Sequence, residues 1–482
     1  MPKAASTRST AHPAAAVRAH APSAAAAAIV ESLAPLLREW LPRQRWFAGK
    51  GRDLTGLVPV AVTELLPPVP AGGEGPGLLH LLLRVEQHDP GAAAAPPQGP
   101  GDCYQLLLGV RTSLPPHLAP SLGGRARQGP LAGRTVYDAL HDPYLAGVLM
   151  DRLRSVDAVG PLRFGRADRI PAGLAPRLLD AEQSNTALVY GDVFVLKILR
   201  RVVPGPHPDL ELALALAAEG SERVPAPTAW FEAAAPAGSG WPLTLGVLQP
   251  YLRGSTDGWG LALSALADGR DFLAEATDLG RATAEVHLAL ASALPTVALD
   301  GARTAQLAEA MSRRLDTAAQ AVPALLPYAP GLRAAFEALG GPGAPAHGRP
   351  AQRVHGDLHL GQTLRTPDGR WSVIDFEGEP ARPLGERRRP QPPVRDVAGM
   401  LRSFDYAARS HTPWHADWAV RCRDAYCEGY AQAAGDDPRA EPELLRAYET
   451  DKAVYEVLYE ARGRPDWRPV PMAAIERLAA ER

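Results

Sequence analysis

Lysine is almost missing from this 482-residue chain. Of its 51 basic residues four are lysine, Lys3, Lys50, Lys197 and Lys452, and the rest are arginine. Cysteine is scarcer still: Cys103, Cys422 and Cys427 form no metal-ligand set, and the last two lie five apart in an expected helix. That argues against a disulfide framework and suits a reducing cytoplasm. A formal net charge of −2 gives no global field to draw nucleic acid or an anionic membrane, so neither is expected as a partner. No apolar run reaches the roughly 18 residues of a membrane helix. The Ala-rich start carries Lys3 and Arg8 but is broken by prolines and histidines. It reads as a flexible tail over residues 1–28, not as a signal peptide.

The informative part of what remains is Val354-His-Gly-Asp-Leu-His-Leu-Gly-Gln362, followed by Val373-Ile-Asp-Phe-Glu377. Asp357 stands five residues before the amide Gln362, and a second acid, Asp375, ends an apolar run. Phosphoryl transfer from ATP asks for this trio. One carboxylate receives the proton of the attacking hydroxyl; an amide oxygen and another carboxylate hold Mg²⁺ against the phosphates. Protein kinases space such groups as H-R-D-x-x-x-x-N and follow them with D-F-G. Here His-Gly-Asp, Gln and Asp-Phe-Glu take those places. Asp357 is the expected catalytic base, and Gln362 and Asp375 the expected Mg²⁺ ligands. Any one acid alone could be a turn residue or a strand-end cap. His355 and His359 are four apart, as in a zinc-protease helix, but Gly356 stands where that motif needs its Glu.

Where arginine is the default, a lysine kept in an apolar strand points to a need for a compact ammonium instead of a planar fork. Lys197 sits in Val193-Phe-Val-Leu-Lys-Ile-Leu199, the place of the phosphate-binding V-A-I-K lysine, although a snorkelling strand lysine would look the same. Glu182-Gln-Ser-Asn-Thr186 holds the place of a glycine-rich phosphate loop without any glycine. Ser184, Asn185, Thr186 and the backbone amides are its candidate phosphate ligands. Glu211, in a helix opening at Pro208, is the candidate partner of Lys197, with Asp209 as a simple cap. Gln249 and Tyr251, at the end of the strand 243–251, are candidates for the adenine connector.

The expected fold is α+β, with a bilobal kinase-like body behind an N-terminal cap. A tail covers 1–28, the cap 29–135, a sheet-rich N-lobe 136–250 and a mainly helical C-lobe 251–482. A helix is expected from Ile29, strands near 57–66, 78–86 and 103–110, and a helix near 142–153. Pro/Gly-rich insertions fall at 67–77 and 89–102. C-lobe helices are expected over 270–292, 303–323, 331–338, 394–409, 416–434 and 441–461.

Several blocks are similar to the actinobacterial maltokinases, within the aminoglycoside-phosphotransferase-like branch of the kinase superfamily. They are Arg43-Gln-Arg-Trp-Phe-Ala-Gly49, Asp180-Ala-Glu-Gln-Ser-Asn-Thr186, the motif from Arg353 to Gln362 with Ile374-Asp-Phe-Glu-Gly-Glu-Pro380, and Arg395-Asp-Val-Ala-Gly-Met-Leu-Arg-Ser-Phe-Asp-Tyr406. Tyr448 to Glu456 and Tyr459 to Pro465 fit as well. The resemblance implies transfer from ATP to maltose, giving maltose 1-phosphate for α-glucan synthesis, with Mg²⁺ as cofactor and a maltosyltransferase as candidate partner. Related kinases take glucosamine, which keeps glucosamine phosphorylation open as an alternative. A catalytically silent binding module and an antibiotic phosphotransferase are the other rivals. For the sugar, the candidate residues are Asp357, His359, Glu377, Arg395, Lys452, Tyr455 and Tyr459. Lys452, Tyr455 and Tyr459 share one helix face by their spacing, a face that would equally suit core packing. The Arg/Pro-rich run from Arg382 to Arg395 reads as a solvated loop or as a contact to phosphate or sugar.

Overall fold

The computed structural model describes residues 24–70, 73–88, 101–179, 184–234, 240–340, 348–380, 382–410 and 413–480. The chain divides into two compact units. The first comprises Met1–Leu188, Lys197–Gly205 and Ala229–Gly246; the second Val189–Leu196, Pro206–Thr228 and Val247–Arg482.

Helix α1 (Ala24–Trp40) precedes five strands, β1 (Asp53–Leu66), β2 (Gly77–His88), β3 (Asp102–Arg111), β4 (Leu122–Arg125) and β5 (Thr135–Asp138), then α2 (Pro143–Ser155). Next come β6 (Ala158–Val159), β7 (Leu162–Arg166), β8 (Pro176–Leu179), β9 (Thr186–Tyr190), β10 (Phe194–Ile198), β11 (Arg201–Val202) and α3 (Pro208–Ala218). Strands β12 (Ala229–Ala233), β13 (Leu243–Pro250) and β14 (Thr256–Asp257) follow. One sheet runs β1-β2-β3-β5-β4 with β11 on β3; another runs β6-β7-β12-β13-β10-β9-β8.

Strand β2 explains how the first unit holds together. Its run Leu78-Leu-His-Leu-Leu-Leu83 is buried on both faces, as a continuous apolar strand must be. Leu79, Leu81 and Leu83 pack with Leu33, Leu37 and Trp40 of α1. On the other face His80 lies edge-on to Phe231, 6.4 Å between ring centroids. Its Nε2 is 2.8 Å from Gln105 Oε1, while Gln105 Nε2 donates to the carbonyls of Leu199 and Leu245, both at 2.7 Å. Those two carbonyls fix the amide, so Gln105 offers an acceptor and His80 must carry its proton on Nε2. Burial drives the His80 pKa down to about 4, against the hydrogen bond to Gln105. Arg200 and Asp138, both nearly fully buried, pair at 2.6 Å, and the Arg200 guanidinium lies over the Trp46 ring.

In the second unit α4 (Gly258–Ala267), α5 (Leu273–Ala293), β15 (Val297–Leu299), α6 (Gly301–Ala321) and α7 (Ala329–Glu337) lead to β16 (Arg349–Ala351). The hairpin β17 (Thr363–Arg365) and β18 (Trp371–Val373) follows, then α8 (Leu384–Arg387), α9 (Val394–Arg409), α10 (Ala416–Ala434), α11 (Pro442–Gly463) and α12 (Pro469–Ala480). Leu279, Met311, Leu315, Phe336, Met400, Phe404 and Val457 share one core.

The expected C-lobe helices all form, within a few residues of the expected ends. Four differences stand out. Helix α1 begins at Ala24 and runs through Pro35, so its first turn lies inside the expected tail; residues 1–23 fall outside the described residues. Strand β5 joins the first sheet, which carries the cap's sheet to Asp138, past the expected boundary at 135. Strand β1 starts at Asp53, because register shifts at Leu54/Gly56 and Pro59/Ala61 absorb the glycine and proline. Helix α4 had no forecast: Gly258 and Gly260 disguise it, and the Asp257 side chain caps it by accepting from Gly260 N–H. The insertion at 89–102 lies almost entirely outside the described residues. Among the described residues the three cysteines are free, and no helix is long and apolar enough to cross a membrane.

Candidate active site

The loop carrying Asp357 is held from below by one carboxylate. Asp396, in the first turn of α9 and 1 % exposed, accepts from the backbone N–H of His355 at 2.7 Å and of Gly356 at 2.8 Å. Its Oδ2 also meets His287 Nε2 at 3.0 Å, and His287 Nδ1 meets the Tyr430 hydroxyl at 2.9 Å. Burial works against the Asp396 charge, but His287 and the backbone donors overcome it and lower the pKa. Two glycines make the approach feasible. Gly356 has φ +83, and a Cβ at Gly399 on α9 would lie 2.5 Å from the Leu358 carbonyl oxygen. Gly356 adopts a backbone conformation that side-chain-bearing residues rarely take, and Gly399 has no room for a side chain.

The hairpin closes the sequence gap between the two expected metal ligands. Thr363 pairs with Val373 across β17 and β18, and Ile374 N–H donates to the Gln362 carbonyl at 3.0 Å. Gln362 is thereby set beside Asp375, and its Nε2 donates to Asp375 Oδ2 at 3.0 Å. Asp375 has φ +66, a conformation that is uncommon outside glycine and gathers at functional sites. Asp209, Asp375 and Glu377 each bring a carboxylate oxygen within 4.8 Å of the others. Asp209 also accepts from Phe376 N–H at 2.9 Å, a role beyond the helix cap it was expected to be. A hard divalent cation takes such an all-oxygen set, so these residues fit Mg²⁺.

Lys452, on α11, reaches the expected base itself: its Nζ donates to Asp357 Oδ1 at 2.7 Å and lies 3.5 Å from Glu379. Burial disfavours the ammonium, but the charges of Asp357 and Glu379 raise its pKa far more. Tyr455 places its ring 4.9 Å from that ammonium and stacks on Tyr459, 6.2 Å between centroids. Arg395 donates to the Gly356 carbonyl at 3.0 Å and approaches Glu379 at 3.4 Å. Arg382 pairs with Glu379 and, at 3.1 Å, with Asp451, which Arg314 grips with two hydrogen bonds of 2.7–2.8 Å. Burial opposes the Asp451 charge, yet Arg314 and Arg382 bring its pKa down to about 2. A cavity of about 10 Å³ lies among these groups.

The remaining expected residues are placed as follows. His359 turns its Nδ1 to accept from Gly361 N–H at 3.1 Å, which caps the turn before Gln362; burial lowers its pKa. Glu211 gives its carboxylate to Arg353 at 2.7 Å and Arg388 at 3.0 Å, partners that the expected pairing with Lys197 did not foresee. Lys197 itself lies on β10. Gln249 Nε2 donates to the Pro225 carbonyl and Tyr251 N–H to that of Val193, both at 2.8 Å. Thr186 accepts from Arg200 at 2.8 Å, and Asn185 Nδ2 is 3.4 Å from the Ser184 hydroxyl. Glu182 and Gln183 lie outside the described residues. Within the second unit, then, Asp357, Gln362, Asp375, Glu377, Arg395, Lys452 and Tyr455 surround the loop. Sequence reasoning assigned no role to Asp396, Glu379 or Asp451. Asp396 stood next to Arg395 in a quoted block, but nothing local announced its reach back over forty residues of chain.

Two family models match: a maltokinase N-terminal cap domain over residues 40–142 and the phosphotransferase enzyme family over 173–444. A glucosamine kinase of Streptacidiphilus jiangxiensis is 32 % identical over 342 residues, covering 64 % of this chain and 76 % of its own. One of Mycolicibacterium smegmatis is 31 % identical over 327 residues, covering 63 % and 80 %. A solved glucosamine kinase in complex with glucosamine, ADP and inorganic phosphate superposes with a TM-score of 0.63 at 25 % identity. It covers 92 % of this chain and 98 % of its own. The chain belongs to the phosphotransferase enzyme family, with a maltokinase-type cap ahead of its kinase fold.

Proposed function

We propose that this protein transfers the γ-phosphoryl group of ATP to the anomeric hydroxyl of maltose, giving maltose 1-phosphate, a donor for maltosyltransferase-driven α-glucan synthesis. The observation that carries the choice of a neutral sugar is the charge pairing around Asp357. Each acid of the cavity already has a cation: Lys452 on Asp357, Arg382, Arg395 and Lys452 on Glu379, and Arg314 and Arg382 on Asp451. An aminosugar would bring an ammonium to carboxylates that have no unmatched charge to offer. The hydroxyls of a neutral sugar can share donors and acceptors with those pairs at far lower electrostatic cost.

In this reading Lys452 fixes Asp357 through Oδ1, leaving Oδ2 to take the proton of the sugar hydroxyl. Mg²⁺, held by Gln362 and Asp375 with Asp209 or Glu377 beside them, supplies charge neutralisation at the phosphates. Lys197 and the 184–186 turn take phosphate, with Glu211 as the acid of the helix following that strand, and Gln249 and Tyr251 lie along the adenine edge. Tyr455 and Tyr459 give the sugar a stacking surface, with His359, Glu377, Arg395 and Lys452 as polar partners. The second reading, phosphorylation of glucosamine, with the 6-hydroxyl as acceptor, is favoured by the two relatives named glucosamine kinase. Phosphorus NMR of the products from maltose and from glucosamine, each with MgATP, decides between them. A phosphorus signal coupled to the anomeric proton of maltose is the expected result; phosphate found on glucosamine alone overturns the proposal.

A further inference from the structure

A cleft of about 720 Å³ opens in the second unit between β15, α6, the segment 382–395 and α11. Its charge is lopsided: six arginines line it against Glu386 and Asp451. Four of the six are committed, Arg314 and Arg382 to Asp451, Arg395 to Glu379, and Arg313 to Glu309. Two are not. Arg389 is exposed and its guanidinium has no ion-pair partner among the described residues, and Arg303 reaches a carbonyl, that of Ala298 at 3.2 Å. Tyr448, the one aromatic side chain in the lining, is 4 % exposed, so no aromatic platform is open to a neutral glucan, whose sites lean on stacking. Guanidinium forks instead match phosphate oxygens two at a time. The volume is ample for more than an inorganic anion.

Arg382, Arg395, Tyr448 and Asp451 line this cleft and also the cavity around Asp357. An anion here would therefore compete with Glu379 for Arg382 and Arg395, and Arg395 is the residue that holds the Gly356 carbonyl. We propose that the cleft is a regulatory site for a sugar phosphate monoester, whose binding lowers turnover by loosening the Arg395 hold on the catalytic loop. The argument rests on the position of Asp357 in the reactive site, not on which sugar is phosphorylated.

The test is calorimetric titration of the full chain with glucose 1-phosphate, without ATP or divalent metal, so that neither the nucleotide nor the metal site contributes. Inorganic phosphate and maltotetraose serve as comparison ligands. Expected are one-to-one binding of glucose 1-phosphate, at least tenfold tighter than of either comparison ligand, and a loss of at least tenfold in an Arg303→Ala/Arg389→Ala double variant. Both side chains are exposed and lie outside the reacting groups. The variant should keep wild-type turnover on whichever sugar proves to be the acceptor, and lose the inhibition by glucose 1-phosphate. No binding to the wild type, unchanged affinity in the double variant, displacement by ATP, or tighter binding of maltotetraose each overturns the proposal. Because the titration involves no turnover, its failure is distinct from a failure of the maltose reading.

Discussion

The two units bury different chemistry. In the first, strands β2 and β3 fill the interior with leucine, and the buried polar groups beside them include a neutral His80–Gln105 pair and the ion pairs Arg200–Asp138 and Arg111–Asp142. In the second, Glu379, Asp396, Arg402, Glu449, Asp451, Glu456 and Glu460 are all buried, on or beside the helices that flank the catalytic loop. Burying charge is expensive and seldom improves on a well-packed apolar core. A leucine interior is the economical way to set a shape, and the first unit uses it. The second unit spends stability on positioning. Its buried acids fix backbone N–H groups, as Asp396 does for His355 and Gly356, or arrest cations, as Glu379 does for Lys452.

The largest expected effect tests whether chemistry and folding separate along that line. Asp357→Asn keeps the shape of the side chain and removes its capacity to take a proton. Turnover should fall roughly 10²–10⁴-fold, while the melting temperature and nucleotide affinity stay near wild type. A variant that keeps more than about a third of wild-type turnover would show that Asp357 is not the base, and the contrast between a shape-setting and a chemistry-setting unit would lose its main support.

How much of this was legible in the sequence depended on how local each signal was. Asp357, Gln362 and Asp375 were readable because a turn and one hairpin, all within Val354–Glu377, bring them together. The long C-lobe helices announced themselves by length and periodicity. The anchors were not readable. Asp396 reaches back about forty residues to His355 and Gly356, and Asp209 reaches Phe376 across 167. Only the packing of α9 and α3 creates those contacts, so an acid at a helix start looks like a cap. Glu211 makes the same point: a local reading proposes Lys197 as its partner, and gives no sign of the two arginines, Arg353 and Arg388, that distant segments deliver to it. Helix α4 escaped because its glycines weaken the propensity signal that its apolar packing overrides.

Acid titration should separate the units by pH. In the first, His80 drops from 6.5 to about 4 because it is buried. A depressed histidine stabilises the fold while neutral, so its contribution is complete above pH 6.5 and is lost as pH falls from there toward 4. At ~1.4 kcal/mol per unit this amounts to about 3 kcal/mol. In the second, Asp451 drops from 3.8 to about 2, with burial opposing and Arg314 and Arg382 prevailing. Its contribution is present above pH 3.8 and lost toward 2, about 2 kcal/mol. Hydrogen exchange followed by mass spectrometry across this range should show β2 and β3 losing protection at higher pH than α11. Replacing His80 by glutamine, which does not titrate, should flatten the first transition. Simultaneous loss in both units, with no change in His80→Gln, would erase the distinction.

The smallest expected effect lies at the boundary between positioning and recognition. Lys452 holds Asp357 at 2.7 Å and presents its charge to the Tyr455 ring. If it positions the base alone, Lys452→Ala should lower kcat and leave both Michaelis constants in place. If it also meets the sugar, as proposed, the variant leaves a buried hydroxyl unpaired. That costs about 1–3 kcal/mol and should raise KM for the sugar by roughly tenfold or more at unchanged KM for ATP. The half-buried Asp357, left without its cation, should also lower the melting temperature, so initial rates need measuring well below it. Lys452→Arg is the control: it keeps the charge but replaces a compact ammonium by a broad fork, and should restore stability without restoring sugar affinity. Full restoration of both by arginine would mean that this lysine, kept where nearly every other basic residue is arginine, owes its place to charge alone.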